Sequence, residues 1–83
     1  MRHDIVFNYD YLIDRVISKY KQSTLNKNIQ ALCKDTYYIT PFRFKRVVID
    51  KKNYFLQNEV YKISQALGLS EEEVIKCFYS RED

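Results

Sequence analysis

One glycine and one proline are all the chain holds, too few turn formers for a many-stranded sandwich or barrel. Its apolar runs stop at three residues, as at Val47, Val48 and Ile49, far short of the roughly 20 that span a membrane. No apolar signal-peptide core follows Met1. The expected location is therefore the cytoplasm, with no membrane partner. Two cysteines, Cys33 and Cys77, make a weak case for an oxidising compartment and are expected as free, buried thiols. With His3 the sole histidine, the ligand set is too sparse for a metal site, and no cofactor is expected. The sequence also lacks a phosphate-cradling glycine-rich loop and a second histidine to serve as general base, so an enzyme is not expected.

What is present suits a folded helical domain. The 83 residues are 46% hydrophobic and 16% aromatic, which separates them from disordered or low-complexity chains. That length supports one core, hence a single domain over 1–83 with an ordered part of about 7–79. A fold this small has a net stability of about 4–12 kcal/mol, so nearly every large apolar side chain must be used.

Periodicity and capping signals predict five helices. Asn8 is an N-cap candidate, with Phe7 and Leu12 placed as a hydrophobic staple. Leu12, Ile13, Val16, Ile17 and Tyr20 then form the apolar stripe of a helix over 9–21. Ser23 or Thr24 caps a second, shorter helix that buries Leu25, Ile29, Leu32 and Cys33. The run Asp35 to Ile39 is β-branched and aromatic, predicting a connection with an extended portion. Thr40 and Pro41 start a third helix to about Ile49, threonine supplying the cap oxygen and proline a preset φ. After the polar break Asp50 to Asn53, a fourth helix turns Val60, Ile63, Ala66 and Leu67 inward and ends at Gly68. Ser70 and Glu73 form an S-x-x-E capping box with Leu69 and Val74 as its staple, starting the last helix at Glu71. In that helix's first turn Glu71, Glu72 and Glu73 read as dipole-matching residues rather than catalytic carboxylates.

Charge is unevenly spread along this framework. The chain's net charge is +3. Residues 40–52 carry Arg43, Lys45, Arg46, Lys51 and Lys52 against Asp50, a net of +4, whereas residues 70–83 come to −3. With Phe44, Val47 and Val48 facing inward, the third helix displays Phe42, Arg43, Lys45 and Arg46 on its other faces. Such side chains suit duplex DNA: arginine bonds guanine bidentately, lysine and arginine neutralise phosphates, and phenylalanine can touch a thymine methyl. Amides near Thr40 can add a phosphate contact.

The order of elements resembles the small phage helix-turn-helix proteins of the Cro and repressor (Xre-like) type. The segment Phe7 to Tyr20 looks like their opening helix. Ile39 and Thr40 resemble the apolar residue and hydroxyl cap that precede a recognition helix, with Phe44 and Val47 at its inward positions. Lys51, Lys52 and Asn53 look like the loop after it, and YFLQNEVYKISQALGLS over Tyr54 to Ser70 is the most specific match. The sequence departs from the pattern at Lys34 to Ile39, a longer and bulkier stretch than the usual tight turn, with no glycine.

The resemblance implies an all-α, compact bundle of about five helices containing a helix-turn-helix with an elongated turn. It also implies a DNA-binding transcriptional regulator of phage or mobile-element type, with residues 41–49 in the major groove. Arg43, Lys45 and Arg46 would read bases or phosphates and Lys51 and Lys52 would hold the backbone, with Phe42 as a further base contact and Thr40 beside a phosphate. Binding a palindromic operator calls for a homodimer with half-sites about 34 Å apart, and Ile75, Phe78 and Tyr79 are the expected dimer surface. The competing expectation is a host or phage protein partner: an antirepressor or an inhibitor of host defence on the same domain, favoured by eight tyrosines and five phenylalanines.

Overall fold

A computed structural model describes residues 5–82 of the chain, so His3 lies outside the described residues. They form five helices: α1 (Asp10–Tyr20), α2 (Leu25–Thr36), α3 (Pro41–Val48), α4 (Gln57–Leu67) and α5 (Glu71–Phe78). No strand is present among them; Phe7 and Arg81 make one isolated antiparallel bridge. The all-helical bundle read from the sequence is the observed architecture.

Local chemistry sets the helix ends. Asn8 acts one residue further out than an N-cap: its side-chain oxygen accepts from the Asp10 amide at 2.8 Å, and Tyr9 is the cap residue. Thr24 caps α2 by accepting from Lys27 N. Thr40 does the same for α3 from Arg43 N. The Ser70–Glu73 capping box closes in both directions, at 3.0 and 3.3 Å. Gly68 ends α4 at φ 66°, a left-handed position that glycine occupies without a Cβ penalty.

Tyr9, Leu12, Val16, Ile29, Leu32, Phe44, Val47, Ile63, Cys77 and Phe78 meet in one core. Helix α2 packs on α1, α3 and α4, and α5 covers α1 and α4. Phe55, in the connection before α4, touches the rings of Tyr9, Phe44 and Phe78 at 5.6–5.7 Å. Ile17, expected on the inward stripe of α1, is instead 40% exposed. It sits at the stripe's margin, turned away from the buried Leu12 and Val16.

The turn between α1 and α2 is organised by Asn28, which is buried. Its carboxamide accepts from Gln22 N at 2.9 Å and donates to Thr24 O at 2.8 Å, pairing backbone groups that would otherwise lack partners. At the other end of the chain, Asn8 N donates to Ser80 O and Glu82 N to Val6 O, at 2.7 and 2.8 Å. The first and last described segments thus run together.

Candidate nucleic-acid interface

Helix α2 does not stop at Lys34 but continues to Thr36, and α3 begins at Pro41. The connection is therefore Tyr37 to Thr40, within the three to four residues usual in a helix-turn-helix, not the elongated stretch read over Lys34–Ile39. The propensity of Asp35 and Thr36 for non-helical backbone is outweighed by packing: Thr36 is buried, with its hydroxyl donating locally to Cys33 O at 3.0 Å, and Asp35 accepts from the Tyr20 hydroxyl of α1 at 2.7 Å.

Tyr37 turns the chain. Its backbone is left-handed at φ 56°, and its amide closes the helix on Cys33 O at 3.0 Å. This is the position that glycine usually takes. The ring finds no burial, being 94% exposed. Ile39 then plugs into the core, and Thr40 caps the helix that follows.

On α3, Phe44 and Val47 are fully buried and Val48 nearly so. Among the helices, only α2 packs closely on α3. The opposite side carries Phe42, 73% exposed, and Arg46, also exposed, with half-exposed Ile49 just past the helix. Their spacing of four and three residues places all three on one stripe. Lys45 flanks it, partly covered.

Arg43 does something other than the sequence suggests. Its Nε and Nη2 donate to the two carboxylate oxygens of Glu59, each at 2.9 Å, and Nη2 also donates to Tyr54 O at 2.7 Å. Glu59 is buried, and its Oε1 further accepts the Leu56 amide at 2.7 Å, capping α4. Burial by itself would raise the Glu59 carboxyl. The Arg43 hydrogen bonds, the Leu56 amide and the arginine's charge outweigh it and hold the group below the ordinary carboxylate range. Arg43 is thus a bolt between α3 and the start of α4, and its fork is not free to read bases. Glu59 was missed in the sequence because it lies 16 residues from Arg43; only its place in the first turn of α4 marked it.

The remaining basic residues divide. Lys51 has a left-handed backbone at φ 54° and its ammonium pairs with Glu82. Lys52 is exposed, with no ion pair among the described residues. With its amide oriented to satisfy both ends, Asn53 accepts from Arg46 Nε at 3.0 Å and donates to Lys52 O at 3.2 Å. Arg46 is thereby steadied while its terminal nitrogens stay unpartnered among the described residues.

The expected dimer surface is also divided. Phe78 is 2% exposed and stacks edge-on against Phe55, so it belongs to the core. Ile75 and Tyr79 are 61% and 50% exposed, Tyr79 leaning on Phe7. Cys33 and Cys77 are free and buried. Burial pushes both thiols up to about 11, so they stay protonated near neutral pH. No helix of the described residues is long and apolar enough to cross a membrane. No family model matches the chain, nor does any curated protein or solved structure.

Proposed function

We propose that this protein is a sequence-specific DNA-binding regulator that lays α3 in the major groove. The observation that carries this reading is the division of α3 into two faces. Its inner face is buried on α2 and bolted to α4 through Arg43 and Glu59, while its outer face holds Phe42, Arg46 and Ile49 in the open, with Lys45 beside them. A rigid helix with an unencumbered outer face is what groove entry needs.

Within this reading Arg46 bonds a guanine edge, Phe42 meets a thymine methyl, and Lys45 and Lys52 neutralise phosphates. Thr40 contributes as the cap that aims the N-terminus of α3, and Arg43 as the group that fixes its angle. One such module makes few base contacts, so tight binding calls for a second copy, with Ile75 and Tyr79 as the surface through which it would pair. No residue is assigned to catalysis.

A titration of random duplex DNA at low and physiological salt, with the protein's mass measured alongside, tests the proposal. Log affinity should fall linearly with log salt. On a selected operator, Arg46→Ala should cost about 1–3 kcal/mol. Salt-independent or absent binding by the folded protein would overturn it. A second reading, a protein-binding antagonist, is favoured by the exposed rings of Tyr37, Tyr38 and Phe42 around the α2–α3 turn, since aromatic side chains are enriched at protein interfaces.

A further inference from the structure

Three rings stand in the open around the α2–α3 turn: Tyr37, 94% exposed, Tyr38, 48% exposed, and Phe42, 73% exposed, in the first turn of α3. None of the three packs against another ring among the described residues. Neither described cavity is lined by them. A ring as bare as that of Tyr37 has its faces free. Its backbone is also held in the left-handed region at φ 56°, where glycine sits without strain. Strain kept under a side chain that gains no burial points to a task outside the fold.

Cations surround these rings. The ammonium of Lys62, on α4, lies 6.0 Å from the centroid of Tyr38. Lys34 is exposed in the last turn of α2. Arg46, exposed, follows Phe42 by one turn on the open stripe of α3. Between Lys34 and Lys45 the sequence has one carboxylate, Asp35, and it accepts from the Tyr20 hydroxyl of α1 at 2.7 Å.

We propose that this turn binds single-stranded nucleic acid, with unpaired bases stacking on Tyr37 and Phe42 while Lys34, Arg46 and Lys62 meet the phosphates. Every base presents a π face, so bare rings on a cationic surface accept bases in any sequence. The same charge would attract an acidic peptide, but apolar peptide side chains need pockets to fill, and rings this exposed line neither described cavity. An intact duplex keeps its bases stacked inside and offers Tyr37 no face to cover. Single strands are thus a ligand beyond the duplex proposed above, and the two compete for Phe42 and Arg46.

The test uses the whole chain and fluorescein-labelled oligothymidylate, followed by anisotropy. The comparisons are an abasic strand of the same length, the duplex formed with oligoadenylate, and oligoglutamate of equal charge. Saturable binding of oligothymidylate at low salt is expected. The abasic strand, which keeps the phosphates and loses the stacking, should bind at least about fivefold more weakly. Tyr37→Gly, which suits the left-handed backbone, and Phe42→Ala, at an exposed position, should each weaken oligothymidylate binding about fivefold or more and leave abasic-strand binding unchanged. Binding of the duplex without binding of oligothymidylate would overturn this proposal and leave the groove reading standing; the reverse would support this proposal and overturn the groove reading. Equal affinity for the abasic strand, oligoglutamate bound as tightly as oligothymidylate, or no loss in Tyr37→Gly would likewise overturn it.

Discussion

At the scale of single residues, the Arg43–Glu59 pair separates packing from function. Two parallel hydrogen bonds and a further one to Tyr54 O make it geometrically sound, and Glu59 is buried while Arg43 keeps some solvent contact. Glu59→Gln leaves a partly buried guanidinium without its charge partner and should cost about 1–3 kcal/mol, discounted from a fully buried pair for that solvent contact. Denaturant midpoints would measure it. The pH dependence follows from the lowered Glu59 carboxyl. Its stabilisation is fully present above the ordinary carboxylate value of about 4.3 and fades as pH falls through the lower folded-state value. Wild type should therefore lose stability on acidification below about pH 4.3 more steeply than Glu59→Gln; parallel acid-unfolding curves would refute this assignment.

At the scale of elements, the α2–α3 turn stores strain in the open. A left-handed tyrosine costs about 1–2 kcal/mol relative to glycine, and the Tyr37 ring, 94% exposed, recovers none of it through burial. Tyr37→Gly should accordingly raise stability by about 0.5–1 kcal/mol after glycine's own entropy loss. For a domain of this size that is a thermal midpoint about 2–8 °C higher. An unchanged midpoint would mean that the ring supports the turn in some other way. Thr40→Ala removes the cap of α3 and should cost about 1 kcal/mol, measured the same way.

At the scale of the whole molecule, charge polarity follows the chain's own order. The net of +4 over residues 40–52 sits on α3 and its loop, while the negative end contains α5. Acids of that end are partly tied back: Glu73 faces Arg15 of α1 at 3.4 Å, and Glu82 pairs with Lys51. If Lys45 and Lys52 neutralise phosphates and the charge of Arg46 in the groove displaces a third counterion, the slope of log affinity against log salt should be about −3 per protomer. A slope near −5 for a monomer would require Arg43 and Lys51 as well, and so would argue against both observed ion pairs persisting on DNA.

The five helices were legible because capping, periodicity and breaker signals are local: Thr40–Pro41, Ser70–Glu73 and Gly68 each act within one turn of the chain. The inward positions Phe44, Val47 and Ile63 followed from spacing alone. What spacing cannot give is which exposed-looking residue meets a distant partner. Tertiary packing drew Asp35 and Thr36 into α2, put Phe78 in the core, left Ile17 uncovered, and brought Arg43 to Glu59 and Lys51 to Glu82. A helical pattern fixes the direction of a side chain, but only the folded chain decides whether a carboxylate or the solvent is waiting there.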